Sequence, residues 1–168
     1  LGMINVSLLY KTMSGLSYSI INSGDWIDQM ASAAMGSYSS FVKIQSIKEE
    51  GVNLINPSEG DPSNDREREA IAIYYKSLIM RVLDSLKEEF IKNKKADFEL
   101  PNAIPMILAG GTSMAGNFLE LFKQSFEEVK NNFPIPVSEI RMASGNPLHA
   151  VANGLLVAAL NSEASKRA

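Results

Sequence analysis

The segment that most constrains the fold is ILAGGTSMAGNFLELF, residues 107–122. The apolar run IPMILA, residues 104–109, is short and bounded by proline and glycine, which predicts a buried strand. Two glycines follow, and apolar residues then recur at helical spacing: Phe118, Leu119, Phe122, Phe126 and Val129. Because a strand that passes through a turn into a helix is the repeating unit of α/β domains, we expect an α/β fold.

The rest of the chain supplies the other elements of such a domain. Alternating apolar residues predict two strands, around 4–10 and 16–21, that pair as an antiparallel hairpin. Helical spacing predicts helices after residue 25, after residue 41, over about 65–94 and from about 147, and SEIRMA predicts a strand at 138–143. This order predicts a mixed sheet with an N-terminal β-hairpin and flanking helices, in one domain over 1–168, with a small helical subdomain at about 36–64.

The predicted helix after residue 25 has a specific start and a specific buried face. Asp25 is expected to be its N-cap, since a carboxylate there can accept a hydrogen bond from the first turn. In the next segment Phe41, Ile44, Ile47 and Lys48 recur at helical spacing, which predicts a second helix that ends at Gly51. The apolar face of the first helix comprises Trp26, Ile27, Met30, Ala31 and Ala34.

Composition narrows the function classes. The chain has 168 residues, of which 45% are apolar and 21% are charged, with a net charge of −3, as in ordinary globular domains. The mild acidity argues against a nucleic-acid partner. The absence of cysteine excludes disulfides and Cys-ligated zinc, and the single histidine, His149, excludes a His-rich metal site. Since no apolar run approaches the roughly 20 residues of a membrane span, we expect no membrane-spanning segment. The absence of cysteine fits a reducing compartment, and we expect a cytoplasmic protein.

Gly110 and Gly111 are the first candidate ligand contacts. Glycines let a ligand approach the backbone closely, and a helix N-terminus beside them presents unpaired N–H groups to an anion. In open α/β sheets, ligands gather at the carboxyl ends of the strands. The alternative is a tight strand-to-helix turn in which Thr112 or Ser113 is the N-cap. The spacing leaves both interpretations open, and no Walker loop is present because no Gly-Lys-Ser/Thr follows.

Two further segments carry weaker signals. In NSGDWID, residues 22–28, Gly24 could bring backbone close to a ligand and Asp25 could bind a hydroxyl or a metal-bound water. Taken alone, this segment favours the structural interpretation, with Asp25 as a cap. The segment NPLHAVANGLLVAA, residues 146–159, predicts a buried helix with proline in its first turn.

Together the three segments resemble the second half of an actin-like ATPase, a superfamily that includes bacterial actin homologues, heat-shock chaperone ATPases and sugar kinases. IPMILAGGTSMAGNFLELF resembles the adenosine motif of that family. SGDWID resembles the segment after the second phosphate hairpin, with Ser23 in place of a glycine, and NPLHAVANGLLVAA resembles the last helix. The pieces occur in the family's order from about residue 2 to residue 160. The resemblance implies a ribonuclease H-like fold.

The resemblance also implies a function. The chain would be the C-terminal nucleotide-binding lobe of a longer ATP-dependent actin-like or chaperone-like protein, holding the adenosine side of ATP, with Mg²⁺ bound alongside. Closure of two lobes on ATP would switch a surface for a protein partner or for self-association. The resemblance assigns no catalytic residue and no metal ligand to this chain. The predicted nucleotide contacts are Gly110, Gly111 and Thr112 for adenosine, Gly2 for phosphate, Gly24 at the hairpin exit, and Gln45 and Lys48 on the adenine-closing helix.

Departures from the family pattern leave alternatives open. Met3 stands where the family has threonine, and Gln45 stands where it has glutamate. The resemblance therefore leaves open whether the full-length protein hydrolyses ATP, and the isolated chain is expected to bind it weakly without hydrolysis. The alternative is a non-catalytic interaction scaffold with a degenerate actin-like fold, and a sugar kinase is a third possibility. The compact segment at 36–64 resembles that of pilus-assembly and ethanolamine-utilisation chaperone-like proteins.

Overall fold

A computed structural model describes residues 2–10, 13–93 and 102–157. It confirms a mixed α/β chain that begins with an antiparallel hairpin, β1 (Ile4–Tyr10) and β2 (Met13–Ile20). Two further strands, β3 (Ile104–Leu108) and β4 (Val137–Met142), run parallel. The helices are α1 (Gly24–Met35), α2 (Phe41–Glu50), α3 (Asp65–Asn93), α4 (Phe118–Val129) and α5, whose described part covers 150–157.

The strands differ from the predicted arrangement in one respect. Within the described residues they form two separate two-stranded sheets, β1–β2 and β3–β4, instead of one mixed sheet. Element order along the sequence establishes the strand count and the α/β class, but it does not establish which strand edges pair. The prediction of a single continuous sheet is therefore wrong for the described part of the chain.

Helix α3 forms the centre of the core. It is 29 residues long, close to the predicted range, and its buried side chains recur at helical spacing, including Ile71, Leu78 and Ile79. Helices α1 and α4 pack against it, and the Trp26 ring meets the Tyr74 ring edge-on at 5.8 Å between centroids. Burial of large aliphatic side chains contributes about 1.5–3 kcal/mol each, so the three-helix contact is the main apolar stabilisation of this domain.

Several helix details correct the sequence-based expectations. The residue before the first turn of α1 is Ser23, so Asp25 lies inside the first turn and is not the N-cap. Ala34 is exposed, because it lies away from the side of α1 that packs against α2 and α3. Phe41 is 41% exposed at the first position of α2, whose N-cap Ser40 accepts a hydrogen bond from the Lys43 N–H.

The segment between α1 and α3 is attached to the core at two places, through α2 and through the loop at 51–64. Ile44 and Ile47 of α2 belong to the main buried cluster. After α2, the buried Arg68 side chain donates to the carbonyl oxygens of Pro57 and Asp61, each at 2.7 Å, and so holds the loop at 51–64 against α3. The predicted separation of 36–64 as a subdomain stays a prediction. In the portion of the chain described here, none of the helices is long and apolar enough to cross a membrane.

Candidate functional site

The glycine pair after β3 forms a turn, as predicted, but the helix does not follow at once. Gly110 has φ of 101°, a conformation that glycine adopts without strain. Its N–H donates to the Pro147 carbonyl at 2.9 Å, and its carbonyl accepts from the Ser113 hydroxyl at 2.7 Å. A single 3-10 turn, Gly111–Met114, follows, and α4 begins only at Phe118. Neither Thr112 nor Ser113 is therefore the N-cap of α4.

The turn at Gly110 lies beside the start of α1. A Cβ atom added to Gly24 would lie 3.4 Å from the Thr112 hydroxyl oxygen and 3.5 Å from the Lys48 ammonium. Four of the seven predicted contact residues, which we call the Gly24 cluster, are thus gathered at one end of the domain: Gly2, Gly24, Lys48 and Thr112.

Gly2 joins this cluster through the first turn of α1. Its N–H donates to the Asp25 carboxylate at 3.4 Å, so Asp25 contacts the start of the hairpin. A Cβ on Gly2 would lie only 2.2 Å from the Ser23 hydroxyl oxygen, and real side chains do not approach so closely. Glycine at position 2 is therefore explained by close packing against Ser23, whatever else contacts its backbone.

Lys48 has a buried partner that the sequence analysis missed. Its ammonium lies 2.5 Å from the Asp28 carboxylate and 3.1 Å from the Gly24 carbonyl. Asp28 is 2% exposed, and its Oδ1 atom has no hydrogen-bond partner. Burial raises the pKa of Asp28, although the hydrogen bond and the positive charge of Lys48 oppose that shift. The available signal was position: Asp28 lies one helical turn after Gly24, on the same face of α1.

The pKa of the Tyr75 hydroxyl is sensitive to the charge of Asp28. Tyr75 on α3 is 3% exposed, and its burial, together with the nearby negative charge of Asp28, raises the pKa of its hydroxyl to about 12. Tyr75 therefore stays neutral at any physiological pH.

The other three predicted contact residues, Gln45, Gly110 and Gly111, do not belong to the Gly24 cluster. Gln45 does not join the cluster, because its amide donates to Glu49 at 3.0 Å on the exposed side of α2. A Cβ on Gly111 would meet the Leu148 side chain at 3.6 Å, an ordinary contact, while one on Gly110 would meet nothing within 4 Å. The predicted burial of the last helix is wrong for its described part, since residues 151–157 are exposed.

The cluster offers N–H, hydroxyl and ammonium donors, which suit an anionic ligand. Across the described ranges, no group of three or more His, Asp or Glu side chains is arranged to hold a metal ion. The exposed Asp25 is the acidic group nearest the Gly2 backbone, and the buried Asp28 is already paired with Lys48.

Fold and cluster together define a mixed α/β domain with a glycine-lined candidate ligand site. The chain belongs to the Volactin family, whose family model matches residues 1–159. No curated protein matches the chain.

Proposed function

We propose that this chain is the nucleotide-binding lobe of an ATP-dependent actin-like or chaperone-like protein of the cytoplasm, with a ribonuclease H-like fold, and that it holds the adenosine side of ATP. The observation that carries the proposal is the position of Gly24, where an added Cβ would lie 3.4 Å from the Thr112 hydroxyl oxygen and 3.5 Å from the Lys48 ammonium. Two segments far apart in sequence, each chosen for its resemblance to a nucleotide motif, meet at that point. A chance resemblance has no reason to place them together.

The adenosine side would be the turn at Gly110. Its backbone faces open space, because a Cβ there would have no neighbour within 4 Å. Two apolar side chains flank the turn, Met114 at 53% exposure and Leu148 at 54%. Exposed apolar groups beside a polar backbone turn suit a flat heteroaromatic base, which needs apolar contact on its faces and hydrogen bonds at its edge.

The phosphate side would be Gly2 and Lys48. An ammonium has three N–H donors, and contacts to Asp28 and Gly24 account for two of them. A third can be donated to a phosphate oxygen. Mg²⁺ would arrive with the phosphates, because this ion keeps several waters and needs only one or two carboxylates from a protein. Asp25 is the residue of this chain that could receive one of those waters.

Calorimetric titration of MgATP tests the proposal, using both the full-length protein and the chain 1–168. We expect the full-length protein to bind and the chain alone to bind weakly without hydrolysing. Thr112→Val should weaken binding about threefold to tenfold, because one hydrogen bond is worth about 0.5–1.5 kcal/mol. Ser77→Ala, which removes an exposed hydroxyl on α3, is the control and should leave affinity unchanged. Brisk hydrolysis of ATP by the chain 1–168 alone would contradict the proposal that this chain holds only one side of the nucleotide.

A non-catalytic scaffold is the second candidate function, and the contacts that the Lys48 ammonium already makes favour it. Its ammonium already contacts a buried carboxylate and a backbone carbonyl, as in a purely structural ion pair. In that case the full-length protein would fold normally and still bind no nucleotide. Sedimentation with and without ATP separates the two further, since a nucleotide-controlled surface for a partner or for self-association would change the sedimentation coefficient.

A further inference from the structure

Two asparagines join the segments that follow two members of the Gly24 cluster. The Asn117 side-chain nitrogen donates to the Asn53 side-chain oxygen at 2.8 Å, across 64 residues of sequence. Asn53 lies five residues after Lys48. Asn117 lies five residues after Thr112. The segments that carry Lys48 and Thr112 therefore meet twice, once at the Gly24 position and once at these two residues, which we call the asparagine pair.

Main-chain contacts hold the two segments in one register at the asparagine pair. Asn53 forms an isolated parallel bridge with Gly116, and the Leu54 N–H donates to the Gly116 carbonyl at 2.9 Å. A Cβ atom on Gly116 would lie 2.8 Å from the Val52 carbonyl oxygen, so the two backbones are in direct contact. Val52 and Leu54 are buried in the core. The loop after α2 is therefore a fixed surface against which the start of α4 is placed.

The Asn53 side chain is itself held in place. Its oxygen accepts the Ile55 and Asn56 N–H groups, each at 3.1 Å, in addition to the Asn117 amide. Its nitrogen donates to the Glu59 carboxylate at 2.5 Å. Because backbone N–H groups can be accepted only by the oxygen of an amide, these contacts determine its orientation. Asn53 thus presents a fixed acceptor to the start of α4.

The backbone of Asn117 adopts an unusual conformation. Among the residues that the structure describes, Asn117 alone combines a side chain with a positive φ, of 58°. Side chains disfavour this left-handed conformation, and asparagine tolerates it better than most. Asn117 also precedes the first turn of α4, where asparagine commonly caps a helix, but its side chain makes no capping hydrogen bond. The side chain contacts Asn53 instead, so it fixes the position of this segment and not the end of the helix.

The turn that carries Thr112 is held at both of its ends. It covers Gly111–Met114, and two residues separate it from Asn117. At its start, the Gly110 N–H donates to the Pro147 carbonyl at 2.9 Å. At its end, the asparagine pair and the bridge beside it attach the chain to the loop after α2. The second attachment is the one that relates the turn to the helix carrying the cluster's ammonium group.

We propose that the asparagine pair positions the Gly24 cluster by setting the distance between the Thr112 hydroxyl and the Lys48 ammonium. Asn53 and Asn117 do not touch the ligand in this arrangement and act through those two groups. Without the pair, the turn could move away from α2, and a ligand that contacts both donors would bind less tightly. The identity of that ligand, an adenine nucleotide, rests on the proposed function, whereas the contacts of the pair do not.

Amide hydrogen exchange in the full-length protein without nucleotide tests the positioning. Asn117→Gly removes the side-chain amide and fits the positive φ, so the domain should fold normally. The Ser113 N–H, which donates to the Gly110 carbonyl, should exchange about threefold to tenfold faster in this variant, as for the loss of one hydrogen bond. The N–H of Ile79, buried in α3, should exchange at nearly the natural rate, which shows that the core is intact.

Asn56→Ala is the matched control for the exchange measurement. It removes an exposed side-chain hydrogen bond to Glu59 in the same loop and leaves the bond between Asn53 and Asn117 in place. This variant should leave the exchange of Ser113 unchanged. Equal Ser113 exchange in the natural protein and in Asn117→Gly would overturn the proposal.

Calorimetric titration with MgATP separates a positioning role from an independent one. Asn117→Gly and Thr112→Val should each weaken binding about threefold to tenfold. The double variant should bind about as well as Thr112→Val alone, because Asn117 acts through that hydroxyl. Losses that multiply in the double variant would overturn the proposal. A natural protein that binds no MgATP, together with faster Ser113 exchange in Asn117→Gly, would count against the proposed function alone.

Discussion

Lys48 on α2 and Asp28 on α1 form an ion pair with 2.5 Å between the ammonium and the carboxylate. Their side chains are 16% and 3% exposed, so both charges are largely removed from water. The same ammonium reaches the Gly24 carbonyl, and Thr112 lies beside it. A single buried pair thus links two helices beneath the turn that follows β3.

Removing one member of this pair should destabilise the domain strongly. Lys48→Met leaves the Asp28 carboxylate buried and unpaired, which costs about 3 kcal/mol of unfolding free energy. Lys48→Met combined with Asp28→Leu should lose clearly less, because no buried charge remains. Urea unfolding measures both.

The exposed pair Lys76–Glu128 is the matched control for this prediction. Its side chains are 48% and 50% exposed at 2.7 Å separation, so Lys76→Met should change the unfolding free energy by less than about 1 kcal/mol. Equal losses of unfolding free energy in Lys48→Met and Lys76→Met would show that the buried pair contributes no more to stability than the exposed pair.

Glu67 should make stability fall at low pH. Burial alone would raise the pKa of Glu67, but the hydrogen bond from Lys43 at 2.6 Å, a backbone hydrogen bond and the positive charge of Lys43 together outweigh burial and lower it. Its stabilising contribution is therefore present above the unfolded pKa of 4.5 and is lost as pH falls through the lower folded pKa. Urea unfolding from pH 7 to pH 3 should show a smaller decline for Glu67→Gln than for the natural chain. Parallel pH profiles would refute this assignment.

Gly2→Ala should strain the start of the hairpin. The added Cβ would lie 2.2 Å from the Ser23 hydroxyl oxygen and 3.0 Å from its Cβ. We expect a loss of about 1–3 kcal/mol, as for other overpacked sites. Ser23→Gly, which removes both atoms, should recover most of the loss when combined with Gly2→Ala in thermal unfolding. If the double variant is no more stable than Gly2→Ala, the contact with Ser23 is not the cause.

Gly116 should tolerate alanine poorly, whereas Gly154 should accept it. A Cβ on Gly116 would lie 2.8 Å from the Val52 carbonyl oxygen, a backbone atom that cannot rotate away. The Gly116 carbonyl oxygen also accepts a hydrogen bond from the Leu54 N–H at 2.9 Å. Strain at Gly116 would therefore also affect the loop at 51–64. We expect Gly116→Ala to cost about 2 kcal/mol.

Gly154→Ala is the matched control, because its Cβ would meet nothing within 4 Å inside α5. Alanine is a better helix former there by about 0.8–1.0 kcal/mol, so this variant should stabilise the chain or leave it unchanged. A melting temperature lowered equally by both substitutions would argue against the Val52 contact.

Periodicity was sufficient to predict the elements of the fold. The helical spacing of the buried face of α3 recurs in the structure because burial of one face imposes its spacing on the sequence. The strand at IPMILA is also present, but its predicted burial is wrong, because its residues alternate between half-buried and exposed and Ile107 is 51% exposed. Edge pairing was not predictable in this way, since it depends on contacts between distant segments. The separation of β1 from β3 therefore appeared only with the structure.

The candidate site was predictable in part, for the same reason. The family resemblance predicts Gly24, Thr112 and Lys48 separately, from three segments of the sequence, and these residues lie together in the structure. Asp28 was missed because a lone acidic residue in a helix carries no local signal of burial. The Gln45 amide donates to Glu49 on α2, and its spacing from Lys48 does not reveal which side of α2 faces α1, so its predicted contact with nucleotide stays a prediction.

The proposed nucleotide site is tested most directly by backbone amide shifts in the ¹⁵N-labelled chain 1–168, titrated with MgATP to millimolar concentration. We expect the largest shifts at Gly110, Gly111 and Thr112, with smaller ones at Gly2 and Gly24, even though binding is weak. Inorganic triphosphate should shift Gly2 and Gly24 without Gly110, since it lacks the base. Shifts absent from the turn at Gly110, or spread evenly over the surface, would contradict the account.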